Sequence, residues 1–212
     1  DQLKQWAVVK LTIAYMEDLY LFTPDKKGDR GSDEEYKTYK KDPTIENIIF
    51  FEPDPDSFAK LKETVGDDES VVCINKALGP FSCKAQMNKE TANEGQSNSI
   101  LEPGIHLQQY PNITFDDTYE VSVEPLDKFQ PNSTLNMINI DVQGFELNVF
   151  LGARRTLHNV DYIYAEINRQ EVYKGCPHVD DLDYFLGKHQ FVRIETDWAG
   201  QTWGDALYIK SQ

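Results

Sequence analysis

The uninterrupted apolar run Ile48-Ile-Phe-Phe51 leads through Glu52-Pro-Asp-Pro into a helical pattern carried by Phe58, Leu61 and Val65, after which a second run, Val71 to Asn75, begins. Short continuous apolar runs are the mark of strands covered on both faces. Asp54 is placed to cap the helix, and Pro55 suits its first position. The strand, helix, strand order is consistent with a parallel crossover packed on the sheet. This strand, helix, strand unit commits the chain to an α/β fold.

The pattern returns in the second half. "LNMINID" reads as a strand, followed by Val149, Phe150, Ala153 and Leu157 at helical spacing. "VDYIYAEIN" supplies the next strand, and "VDDLDYFLGKH" an amphipathic helix with Val179, Leu182, Phe185 and Leu186 on its apolar side. "FVRIET" and "WGDALYIK", joined by "DWAGQT", read as an antiparallel hairpin at one sheet edge. Between the halves, residues 79–131 are weaker, with hairpin-like stretches at Phe81–Met87 and Tyr119–Val123. "NKETANEGQSNS" has the composition of a mobile loop, either closing over a ligand or simply exposed. Asp25–Asp42 reads as a surface loop followed by a short solvent-facing helix.

A length of 212 residues suits one domain over 1–212, with residues 1–45 divergent or incomplete at the N-terminus. The net charge of −15 leaves no basic stripe for a phosphate backbone, which argues against nucleic acid as a partner. No run reaches the roughly 20 apolar residues that span a bilayer. Trp6–Phe22 comes nearest but is interrupted by Lys10, Glu17 and Asp18, and so reads as a packed element or an interface. A soluble, cytoplasmic protein is the favoured expectation. Cys73, Cys83 and Cys176 form neither a CxxC pair nor a disulfide framework. The sequons at Asn112 and Asn132 are read as chance matches.

In open α/β sheets, ligands bind beyond the C-terminal ends of the strands. Three acids stand at such ends: Glu52, Asp141 and Glu166. Glu52 suits the vicinal hydroxyls of a ribose, or else caps a turn beside Pro53. Asn75, at the next strand end, suits an adenine edge. Asp141 either caps the following helix or does chemistry, and Gly144 permits an unusual backbone dihedral at the same bend. Glu166 and Asn168, two apart on a strand, share a face. With Asp141 they are oxygen ligands for a divalent cation, or else a metal-free polar site for substrate hydroxyls. Among the histidines, His106 lies in the irregular central region and is the best placed base, whereas His158, His178 and His189 border helix ends.

The ordered pieces "FEPDPDSFAKL", "INKALG", "SNSI", "IDVQGFELNVFLGA", "YAEINRQEVYKG" and "WGDALYIK" resemble the FkbM family of S-adenosylmethionine-dependent methyltransferases over about the last 160 residues. The resemblance implies a class I methyltransferase (Rossmann-like) fold, a mostly parallel seven-stranded sheet with an antiparallel terminal strand. It implies S-adenosyl-L-methionine as cofactor and O-methylation of a sugar, glycan or related small molecule. It makes Glu52 the ribose acid and puts Asp141, Gln143, Glu146 and Glu166 near the active cleft, Gln143, Glu146 and Asn168 being expected on the substrate side. The family's glycine-rich first turn is replaced here by "YLFTPDKKGDRGSDEE", where Gly28 matches its last glycine and is the expected donor contact. The competing readings are a noncatalytic glycan-binding or partner-binding relative and another nucleotide-dependent enzyme. The second is disfavoured by the lack of a GxxxxGK[ST] or GxGxxG turn.

Overall fold

The computed structural model describes residues 7–9, 11–12, 32–42, 45, 47–92, 95–129 and 137–211. Gly28 lies outside them, as does most of Trp6–Phe22. The described elements run β1 (Ala7–Val9), β2 (Leu11–Thr12), α1 (Ser32–Tyr39), β3 (Ile48–Phe51), α2 (Pro55–Val65), β4 (Val71–Ile74), β5 (Ala77–Leu78) and β6 (Cys83–Glu90). They continue with α3 (His106–Gln109), β7 (Phe115–Glu124), β8 (Met137–Ile140), α4 (Glu146–Leu151), β9 (Tyr162–Asn168), α5 (Val179–Lys188), β10 (Phe191–Ala199) and β11 (Trp203–Lys210).

The expected single sheet of seven strands is not what forms. The strands make three sheets, ordered β1-β3-β4, β10-β11-β9-β8-β2 and β5-β7-β6. The first is parallel throughout, and in the second β8 and β9 are parallel while β11, β10 and β2 run antiparallel to their neighbours. Residues 7–12 join the first two, because β1 pairs with β3 while β2 pairs with β8.

All four residues of β3 are buried, as the uninterrupted apolar run requires. By contrast β4, expected to be buried, is an edge strand with Val72 exposed, since β3 is its one partner in the sheet. Helix α2 begins as read from sequence: Asp54 Oδ1 accepts from the Asp56 and Ser57 N–H groups at 3.0 and 2.8 Å, and Pro55 takes the first turn. Leu61 and Val65 then enter the core, each contributing ~2 kcal/mol through removal of apolar surface from water. Helix α1 is less solvent-facing than its composition suggests, because Tyr39 is buried and its hydroxyl accepts from Asn139 Nδ2 at 2.7 Å.

The two central hairpin-like stretches turn out to be one ribbon. β6 and β7 pair with each other antiparallel over most of their length, across the intervening loop, and β5 adds to β7 in parallel. The terminal pair β10–β11 is the expected antiparallel hairpin at a sheet edge, with β10 extended through Asp197-Trp198-Ala199. Val149, Phe150, Ala153 and Leu157 are all buried, but the helix they imply stops at Leu151. At Gly152 the chain passes so close to β5 that an added Cβ would lie 2.0 Å from the Gly79 carbonyl oxygen. Among the described residues no helix is long and apolar enough to cross a membrane.

Candidate active site

A cleft opens where the C-terminal ends of β3 and β8 meet the β6–β7 ribbon. Glu52 and Asp54 line one side, Asp141 and Phe145 the other, with Leu78, Met87, Ile100 and Tyr119 forming apolar and aromatic walls. Glu52 is 3 % exposed and its Oε1 accepts from the Asp54 N–H at 3.0 Å, which turns the carboxylate back over its own strand end. Asn75 does not line the cleft. Its Nδ2 donates to the Glu52 and Pro53 carbonyls at 2.8 and 3.3 Å, bracing the turn that carries Glu52.

Asp54 was legible only as a helix cap, yet it also faces the cleft. Its Oδ2 is buried and faces the Tyr119 hydroxyl. Burial and the charges of Asp54 and Glu52 push the Tyr119 pKa far up, so this hydroxyl stays a donor. The loop read as mobile supplies the roof. Asn98 Nδ2 donates to the Tyr119 hydroxyl at 3.3 Å, and Ser99 Oγ donates to the Gln143 carbonyl at 2.7 Å.

Beside the cleft, the turn between β8 and α4 gathers the other acids. Gln143 and Gly144 both take positive φ, 54° and 90°, a bend that glycine makes cheaply and glutamine does not. The strain places the Gln143 amide between two acids, its Nε2 donating to Asp141 Oδ1 at 2.7 Å and to Glu166 Oε2 at 3.2 Å. The turn's N–H groups are not capped by Asp141. Glu146 does this, its Oε1 accepting from Val142 at 3.0 Å and Gly144 at 3.2 Å. Burial, then the neighbouring Asp141 charge, pushes the Glu146 pKa up to about 7.

Oxygens of Asp141, Glu146 and Glu166 all lie within 4.8 Å of one another, and Glu146 Oε2 is buried without a hydrogen-bond partner among the described residues. Three carboxylates at that separation fit a hard, oxygen-seeking divalent cation. Asn168, 1 % exposed, lies two residues beyond Glu166 on the same face of β9, and neither end of its amide has a partner among the described residues. His106 lies in an aromatic nest, its ring 5.1 Å from Tyr110, 5.3 Å from Phe115 and 5.4 Å from Tyr173. Burial lowers its pKa.

Sequence reasoning passed over Tyr173 and Asp205. Tyr173 is fully buried, and its hydroxyl donates to Gln143 Oε1 at 2.7 Å. Asp205, in "WGDALYIK", stands directly across from Glu166, and burial, followed by the Asp141 charge, pushes its pKa up to about 7. Cross-strand register is the one signal that would have found it.

The cleft thus combines apolar and aromatic walls with a buried acid at a strand end. A "2-O-methyltransferase NoeI" of Sinorhizobium fredii is 32 % identical over 136 residues, 60 % of this chain, which spans 56 % of that relative's length. Among solved structures, Streptococcus pneumoniae Sp1610, proposed to be a tRNA (m1A22) methyltransferase, superposes with a TM-score of 0.49 at 15 % identity, covering 86 % of this chain and 62 % of that one. Its complex with S-adenosyl-L-methionine gives 0.47 at 14 %, covering 87 % and 64 %. Neither structural likeness is close enough to bear on the site. The methyltransferase FkbM domain model matches residues 25–193. The chain belongs to the FkbM-domain family of S-adenosylmethionine-dependent methyltransferases.

Proposed function

We propose that this protein transfers a methyl group from S-adenosylmethionine to a hydroxyl oxygen of a sugar, glycan or related small molecule. The observation that carries this reading is the shared cleft, in which Glu52 and Asp141 come from the ends of two different sheets and Asp141 leads on to Glu166. When bound, the donor supplies an electrophilic methyl carbon on a sulfonium.

Glu52 would hold the ribose hydroxyls, with Gly28 as a further donor contact and Asn75 acting through the turn it braces. Asp141 and Glu166 organise the acceptor hydroxyl and take its proton as the carbon–oxygen bond forms and the carbon–sulfur bond breaks. Gln143, Glu146 and Asn168 set the acceptor side. A divalent cation held by Asp141, Glu146 and Glu166, with Asn168 beside them, would ease loss of the hydroxyl proton. His106 acts by positioning, through the Tyr173 ring. The NoeI relative, named for 2-O-methyl transfer, supports a hydroxyl acceptor.

The test is calorimetric titration of the intact protein with S-adenosylmethionine, alongside initial rates on glycoside acceptors. Saturable binding that weakens on Glu52→Ala, with Asp141→Asn and Glu166→Gln cutting methyl transfer far more than donor affinity, is the expected result. Failure of the wild-type protein to bind the donor would overturn the reading and favour a noncatalytic binding domain.

A further inference from the structure

The segment Ser97-Asn-Ser-Ile100 runs between the donor cleft and the turn that carries the acids, and all four of its residues make contacts on the way. Asn98 and Ile100 line the cleft. Asn98 Nδ2 donates to the Tyr119 hydroxyl at 3.3 Å, while its Oδ1 accepts from the Glu90 N–H at 2.8 Å. Ser97 and Ser99 meet the acid turn instead. The Ser97 carbonyl accepts from the Tyr173 hydroxyl at 3.1 Å, and the Ser99 hydroxyl donates to the Gln143 carbonyl at 2.7 Å.

Ser99 is the fixed point of this segment. It is fully buried, its carbonyl accepts from the Asn88 N–H at 2.8 Å and from Asn88 Nδ2 at 3.1 Å, and its own N–H donates to the Asn88 carbonyl at 3.3 Å. Its hydroxyl also accepts from the Leu101 N–H at 3.0 Å. A serine oxygen gives one hydrogen bond and takes others, so this one atom meets a carbonyl on one side and an N–H on the other. Alanine at 99 would leave both backbone groups unmet in the interior.

The carbonyl that Ser99 meets belongs to a strained residue. Gln143 holds φ at 54°, which a residue other than glycine keeps only where its surroundings over-determine it. The Ser99 hydroxyl fixes its backbone, and the Tyr173 hydroxyl fixes its side chain at Oε1. Held at both points, the Gln143 amide reaches Asp141 at 2.7 Å and Glu166 at 3.2 Å. We propose that Ser99 is a positioning residue for methyl transfer, holding the Gln143 backbone so that its amide aligns Asp141 and Glu166, while Asn98 shapes the donor cleft one residue away. This rests on the methyl-transfer reading above and adds to it a buried residue that does not itself line the cleft.

The experiment compares initial rates on methyl pyranosides at saturating donor, donor calorimetry and melting temperature for wild type, Ser99→Ala, Gln143→Gly and the double variant. Ser99→Ala should lower kcat about tenfold and leave the donor Kd within about twofold, because the lost hydrogen bond is felt at the acids and not in the cleft. Gln143→Gly removes the amide and takes the positive φ without strain, so it should lower kcat by itself. Adding Ser99→Ala to it should then lower kcat by less than about twofold, since the residue through which Ser99 acts is already gone. Ser99→Cys, a weaker donor of similar shape, should fall between wild type and Ser99→Ala, and it reads the same bond if the alanine variant does not fold. Asn98→Asp keeps the acceptor for the Glu90 N–H and loses the donor to Tyr119, and should instead weaken donor binding about fivefold. Equal losses from Ser99→Ala in the two backgrounds, or kcat and donor affinity falling together, would overturn the proposal and make Ser99 a packing residue of the loop. So would unchanged kcat in folded Ser99→Ala or Ser99→Cys. Donor bound by wild type with no pyranoside methylated would overturn the methyl-transfer reading, and the proposal with it.

Discussion

The Tyr173 hydroxyl lies 2.7 Å from the Gln143 side-chain oxygen and 3.1 Å from the Ser97 carbonyl, so it ties the turn after β8 to the loop over the cleft. With Oε1 committed to Tyr173, Nε2 must face Asp141 and Glu166, the two acids it bridges. Tyr173→Phe removes the constraint and leaves a buried acceptor unmet, at about 1–3 kcal/mol. Methyl transfer should fall about tenfold with donor affinity little changed, because the amide that bridges Asp141 and Glu166 would be held at one end only. Rates and donor calorimetry on the same preparation check this. Unchanged turnover would mean that the amide is held by something else.

Gly152→Ala tests the contact between α4 and the wall of the donor cleft. The added Cβ would meet the Gly79 backbone oxygen at 2.0 Å, and a backbone atom cannot swing aside as a side chain does. The expected cost is about 2–3 kcal/mol, a drop of roughly 6 °C in melting temperature for a chain of this size. Donor affinity should weaken in parallel, since Leu78 beside Gly79 lines the cleft.

Asp68 carries a pH dependence of stability. Its burial alone would raise its pKa, but the Ser70, Lys40 and Tyr36 hydrogen bonds prevail and hold it well below the ordinary carboxylate range. The Tyr36 hydroxyl donates at 3.1 Å and Lys40 Nζ lies at 2.9 Å, both from the α1 region, so the carboxylate fastens that region to the turn before β4. A depressed pKa stabilises the fold above the unfolded value near 3.8, and the contribution is lost as pH falls below it. Melting curves from pH 7 down to pH 3 should therefore fall more steeply for wild type than for Asp68→Asn, which starts lower. Parallel curves would contradict this.

The parts of the fold that rest on local pattern could be read from the chain. β3 is an uninterrupted apolar run because both its faces are covered, and α2 starts at Asp54 because its carboxylate meets two free N–H groups. What pattern does not contain is pairing. The β6–β7 ribbon joins stretches some 30 residues apart, and the division into three sheets rests on which strands pair rather than on any one strand's pattern. The same limit governs the site. Glu52, Asp141 and Glu166 announce themselves at strand ends, whereas Asp205 is one polar position in an alternating strand until register sets it opposite Glu166. The aromatic neighbours of His106, spread from Tyr110 to Tyr173, are likewise a matter of pairing that no local pattern contains.

Asn75 gives the donor side of this protein a chemical clock. Its exposed side chain holds the Glu52 and Pro53 carbonyls through an N–H group, and slow hydrolysis of that amide to an acid would set a negative oxygen against them instead. A protein carrying that acid at position 75 would hold the donor less tightly while its core stayed folded.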